Sequence, residues 1–162
     1  MSEPRIAWTH EPTGRGGGRA LRHRLSEQMT LLARAPLFEG LAKTHLRKIA
    51  RVSAARSCRA GEQLVKEDAA GSVFYVVLNG DAKVTRRGKT IKRLGPGDFF
   101  GEMSILTKAP RSASVVAETP MECLTLSAAD LRAVLIDEPA IAVRMLTTLA
   151  DRLSDLDRRS TA

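Results

Sequence analysis

The apolar positions of the chain fall into three regimes, helical at both ends and strand-like between them. From residue 20 to residue 35, Leu21, Leu25, Met29 and Leu32 recur at three- and four-residue steps, the spacing of one face of an α-helix. Pro36 ends that run, because its ring clashes with the preceding turn. A second, short helix is predicted over 43–52, with Leu46, Ile49 and Ala50 on one face. Beyond Arg59 glycine sets the rhythm: seven of the twelve glycines lie between Gly61 and Gly101. The runs at 63–66, 73–78, 83–86 and 90–94 read as strands, and two more follow at 113–117 and 122–126 on either side of Pro120. The segment 83–86 alternates weakly, whereas 73–78 is apolar throughout. Asn79-Gly80 has the chemistry of a tight hairpin turn, and Gly95-Pro96-Gly97-Asp98 reads as a second turn.

The helical period then returns. Ser127 precedes Ala128-Ala129-Asp130, an N-cap hydroxyl with an acid at the third helical position, and this helix stops before Pro139. A last helix, over 139–158, carries Ala142, Leu146, Leu149, Leu153 and Leu156 at heptad spacing. Two readings of that stripe stand side by side: a seam with a second copy of the chain, and packing against the β unit. Short strands with glycine punctuation predict a fold that is mainly β with flanking α, an antiparallel sandwich or barrel, most simply a jelly roll. The expected organisation is a disordered tail over 1–19, an N-terminal helical subdomain over 20–52, a β-roll over 53–127 and closing helices over 128–162.

Charge adds an asymmetry to this layout. The 162 residues carry 26 Lys and Arg against 18 Asp and Glu, a net of +8. Residues 1–60 hold 12 basic and 4 acidic side chains, and residues 61–162 hold 14 of each. The excess therefore sits on the N-terminal third, where Arg15, Arg19, Arg22 and Arg24 would attract an acidic partner, an anionic membrane or nucleic acid. Cys58 and Cys123 are the only cysteines, too few for a disulfide framework or a four-thiolate zinc site. No apolar run approaches the ~20 residues that span a bilayer, and the basic start leads into no signal sequence. The expectation is a cytoplasmic protein with two free thiols.

One passage carries chemistry of its own: Asp98-Phe99-Phe100-Gly101-Glu102-Met103-Ser104-Ile105-Leu106, followed by Pro110-Arg111-Ser112-Ala113-Ser114-Val115. A glycine entering a helical turn lets backbone N–H groups approach an anion. An arginine ten residues on, held by Pro110 at the start of a strand, supplies a guanidinium fork to the same anion. Ser112 adds a hydroxyl. Glu102 would repel phosphate but suits a ribose hydroxyl. One acid for sugar and one arginine for phosphate describe a site for a nucleotide monophosphate.

In these residues the segment resembles the phosphate-binding cassette (98–115) of cyclic-nucleotide-binding domains, of the catabolite activator protein and kinase regulatory subunit type. Gly97-Asp98 and the run Phe74-Tyr75-Val76-Val77-Leu78-Asn79-Gly80 fit the family as well, so that about 125 residues, from Pro36 onward, follow its order. The resemblance implies an eight-stranded antiparallel β-roll with N-terminal helices and two C-terminal helices acting as hinge and lid. It implies that Glu102 binds the ribose 2′-hydroxyl and Arg111 the cyclic phosphate, with Gly101, Met103 and Ser104 offering backbone N–H groups and Ser112 a hydroxyl or amide. Ser104 stands where alanine is more usual. Cyclic AMP is the expected ligand because the cassette looks bacterial, with cyclic GMP the alternative; Arg144, Thr147, Thr148 and Arg152 of the last helix are the candidates to meet the base.

The expected function follows: a stand-alone bacterial sensor that changes shape on binding a cyclic nucleotide and signals to a separate effector protein. Only Arg159 to Ala162 follow the last helix, so no DNA-reading helix-turn-helix is expected. An enzyme is not expected, since His10, His23 and His45 all precede the roll and no metal-ligand spacing occurs within it. The competing class is a basic adaptor for nucleic acid or a membrane surface with a degenerate pocket, whose binding would fall steeply with salt.

Overall fold

In the computed structural model, which describes the backbone of residues 17–160 and the side chains from residue 24 to residue 160, the roll is built around a strand buried on both faces. That strand, β3 (Val73–Asn79), is the continuously apolar run of the sequence. Phe74, Val76 and Leu78 point to one side and Tyr75 and Val77 to the other, as the two-residue period of a strand requires. The remaining strands are β1 (Ala54–Cys58), β2 (Gln63–Val65), β4 (Ala82–Arg86), β5 (Lys89–Leu94), β6 (Phe99–Phe100), β7 (Ser114–Ala117) and β8 (Met121–Ser127). They form two four-stranded antiparallel sheets, in the orders β1-β8-β3-β6 and β2-β7-β4-β5. The expected tail falls almost wholly outside the described residues.

The helices cover the outer face of the first sheet. They are α1 (Gly17–Arg34), a short 3-10 turn (Pro36–Phe38), α2 (Lys43–Val52), α3 (Glu102–Thr107), α4 (Ala128–Asp137) and α5 (Pro139–Ser160). Leu32, Phe38, Ile49, Leu131, Ile141 and Met145 pack on Phe74, Val76, Leu124 and Leu126 to form one core. Between the sheets a second core gathers Leu64, Tyr75, Val77, Phe100, Val115 and Met121. Both cysteines are free and buried there, and burial pushes the Cys123 thiol up to about 12. The Ser127 hydroxyl accepts from Asp130 N at 3.1 Å, the cap expected from sequence.

Asn79-Gly80 is not a hairpin. β3 pairs with β6 and β8, β4 with β5 and β7, so this turn carries the chain from one sheet to the other. Gly80 has φ +85°, and a Cβ there would lie 2.6 Å from Met121 Cβ. The glycine serves a left-handed turn and a close approach at once. The two-residue hairpin is instead Arg87-Gly88, joining β4 to β5 with φ +51° and +77°, the signs a type I′ turn needs. Two strands carry no legible pattern: β1, whose inward positions include Arg56, and β6, only two residues long.

On α5 the heptad stripe is half-used. Leu149 packs against the helical core, whereas Leu146, Leu153 and Leu156 stand 51–64% exposed, with Val143, outside the stripe, exposed beside them. The helix buries Ile141 and Met145 instead.

Candidate functional site

Gly101 makes the entry into α3. It takes φ +89°, and a Cβ would lie 2.6 Å from the Val73 carbonyl oxygen and 3.0 Å from Arg111 Nη1. No L-residue with a side chain fits this position without displacing the strand or the arginine. The helix that follows buries Glu102, Ser104 and Ile105 and leaves Met103 exposed.

Arg111 returns the chain to the same spot. Its backbone is clamped to the β2–β3 loop from both sides: Arg111 N donates to Ala69 O and Asp68 N donates to Arg111 O, each at 2.8 Å. The side chain, only 3% exposed, runs inward over the bare backbone of Gly71, where a Cβ would collide with Nε. Nη1 donates to Ser104 Oγ at 2.7 Å and to Gly101 O at 3.0 Å, and Nη2 donates to Val73 O at 2.9 Å. The guanidinium is thus oriented by α3 and β3 together. Gly71 was not singled out in sequence; its signal was a glycine in the loop that precedes a fully buried strand.

Glu102 is 4% exposed. Burial pushes its carboxyl above the ordinary glutamate range, an effect opposed chiefly by the Arg152 guanidinium and to a lesser degree by its own backbone N–H, Lys92 and Arg111. Arg152 Nη1 meets Glu102 Oε1 at 3.0 Å. The same guanidinium donates through Nη2 to Phe99 O at 2.8 Å and lies 4.6 Å from the Phe99 ring centroid, a cation–π distance. Glu102 Oε2 is buried with no hydrogen-bond partner among the described residues.

Gly101, Glu102, Ser104 and Arg111 are therefore brought together. Ser112 adjoins them in sequence but is exposed, and its carbonyl accepts from Arg86 Nε at 3.0 Å. Of the four α5 candidates, Arg152 reaches the site. Arg144 is committed elsewhere, donating to Leu37 O at 3.2 Å, and Thr147 bonds back to Val143 O. Among the described residues no group of His, Cys, Asp and Glu forms a metal cluster, and none of their helices is long and apolar enough to cross a membrane.

The model of the cyclic nucleotide-binding domain family matches residues 55–138. The chain belongs to the cyclic nucleotide-binding domain family. It is 36% identical over 101 residues to the cGMP-dependent protein kinase of Toxoplasma gondii, covering 62% of the chain and 10% of the kinase. It is 33% identical over 128 residues to the cyclic AMP receptor protein of Thermus thermophilus, covering 76% of the chain and 59% of the receptor. The solved structure of the Thermus thermophilus catabolite activator protein superposes with a TM-score of 0.70 at 33% identity, over 77% of this chain and 61% of that one. The chain thus spans only part of the length of these relatives. The family is a regulatory ligand-binding domain, and the eight-stranded roll with flanking helices is its fold.

Proposed function

We propose that the chain is a cytoplasmic cyclic-nucleotide sensor, with cyclic AMP as its ligand and cyclic GMP as the competitor to be excluded, and that it signals to a separate effector protein. The observation that carries this reading is the pairing of a buried, fixed guanidinium at Arg111 with a buried carboxylate oxygen, Glu102 Oε2, that has no hydrogen-bond partner among the described residues. A buried acceptor left unmatched costs about 1–3 kcal/mol, and a ribose hydroxyl donating to it would recover that cost. In this reading Glu102 takes the ribose 2′-hydroxyl and Arg111 the cyclic phosphate. Gly101, Met103 and Ser104 supply backbone N–H groups, and Ser112 a hydroxyl or amide. The names of the similar proteins include both a cGMP-dependent kinase and a cyclic AMP receptor, so base preference rests on experiment.

Signalling would run through α5. Arg152 of this helix holds the very carboxylate assigned to the ribose, so filling the site changes what α5 can grip. A ligand shifts such an equilibrium only by preferring one arrangement of the helix. We assign the exposed side chains Val143, Leu146 and Leu153 on the same helix to a second copy of the chain. Leu146→Glu with Leu153→Glu should then convert a dimer to a monomer in sedimentation.

Thermal unfolding with cyclic AMP, cyclic GMP and linear AMP tests the whole reading. At a hundredfold excess over Kd, binding stabilises by about 2.7 kcal/mol, a rise of roughly 5–11 °C for a domain of this size. An equal response to linear AMP, or a response that vanishes at moderate salt, would favour the basic adaptor instead.

A further inference from the structure

The β4–β5 hairpin concentrates positive charge, of which only Lys92 bears on the nucleotide site. Residues 82–94 contain Lys83, Arg86, Arg87, Lys89, Lys92 and Arg93 and no acidic residue. The register sets like charges against each other across the pair, Lys83 opposite Arg93 and Arg86 opposite Lys89, an arrangement that costs stability. The tip adds Arg87 in the left-handed region, φ +51°, where glycine or asparagine is favoured. Neutralisation is partial: Glu118 meets Arg93 at 3.1 Å, Glu67 Oε2 accepts from Arg87 N at the tip at 3.0 Å, Lys92 faces Asp98, Glu102 and Asp155, and Arg86 spends Nε on the Ser112 carbonyl.

β5 is also the end strand of its sheet. One β5 carbonyl, Ile91 O, is already taken by Arg159 Nη1 of α5 at 3.1 Å, so an added strand would pair with the remaining groups of that edge. Charge on an end strand guards against unwanted pairing, but that purpose needs cations on β5 alone. It does not account for Lys83 and Arg86 on β4, which lies inside the sheet between β7 and β5, nor for Arg87 at the tip.

We propose that the β5 edge is a docking site for an extended acidic segment of a partner protein, added as a further strand. The segment's backbone would pair with β5, and its carboxylates, recurring on one face about every 7 Å, would lie against Arg93 and Lys83, which the register sets on the same face, with the cations of the tip at one end. Nucleic acid would use the charge but not the backbone edge, whereas an acidic strand uses both. This deepens the effector part of the reading above and stands or falls apart from nucleotide binding.

The probe is a fluorescein-labelled twelve-residue peptide of alternating glutamate and threonine, titrated with the full chain by anisotropy at low salt. Saturable binding is expected, at least tenfold weaker for the Lys83→Glu/Lys89→Glu variant. It is also expected to be at least tenfold weaker for the same peptide N-methylated at alternate residues, which keeps every charge, removes backbone donors and leaves the protein unaltered. Absence of saturable binding, equal binding of the N-methylated peptide, or tighter binding of a twelve-nucleotide single strand would overturn the proposal. Calorimetric titration of the same samples with cyclic AMP reads the nucleotide site separately, so either result is assigned to its own claim.

Discussion

Arg152 of α5 donates to Glu102 of α3 across fifty residues of chain, Nη1 to Oε1 at 3.0 Å, with the carboxylate almost fully buried. The pair ties the last helix to the segment assigned to the ligand. Coulombic attraction in such a place barely offsets the desolvation of two charges, so its chief consequence is to make the position of α5 depend on the state of Glu102.

Removal of the cation is the first test. Arg152→Gln should destabilise the chain by about 2 kcal/mol at neutral pH, because Glu102 is left buried without its cation. The sign with pH follows from the carboxyl being raised in the folded state. A carboxyl raised on folding favours the native state fully below the unfolded value, and that contribution is lost as pH climbs through the folded value. Without Arg152 the folded value rises further, so the melting difference between variant and wild type should narrow as pH falls through the acid range. A difference independent of pH would mean that Glu102 is not the group being neutralised.

Gly71→Ala should leave the fold intact and weaken cyclic AMP binding about tenfold. The added methyl meets the Arg111 side chain rather than backbone, so the guanidinium must move while the strands need not. Unchanged calorimetric affinity would show that the observed orientation of Arg111 is not the one that binds.

Gly101→Ala is expected to be harsher. It places a side chain at φ +89° and 2.6 Å from the Val73 carbonyl, for a loss of about 2–3 kcal/mol together with loss of ligand response in thermal melts.

Ser127→Ala serves as the contrast. It removes the hydroxyl that accepts from Asp130 N and should cost about 1 kcal/mol, with nucleotide affinity unaltered. A coupled loss of affinity would place the start of α4 inside the ligand-sensitive unit.

What the sequence makes legible follows the range of each interaction. The all-apolar run 73–78 announces a strand buried on both faces, and β3 is that strand. The Ser127 cap and the helices at 43–52 and 128–137 are local signals, and the structure has them. Asn79-Gly80 misleads because a glycine required for close approach to Met121 carries the same letters as a hairpin tip, while the tip proper holds an arginine where asparagine is usual. In the site, Gly101, Glu102, Ser104 and Arg111 form a local motif and are read together. Arg152 is one of four polar candidates along α5, and only the crossing of α5 over Phe99 selects it. Gly71 is invisible for a similar reason: its importance is the space it leaves for a side chain forty residues away.

Isothermal titration calorimetry of the wild-type chain and Arg111→Ala with cyclic AMP tests the central claim most directly. Removal of the guanidinium assigned to the phosphate should weaken binding about a hundredfold, from a saturable one-to-one isotherm in the wild type. A wild type that takes up no cyclic AMP, or a variant that binds as tightly as the wild type, would contradict it.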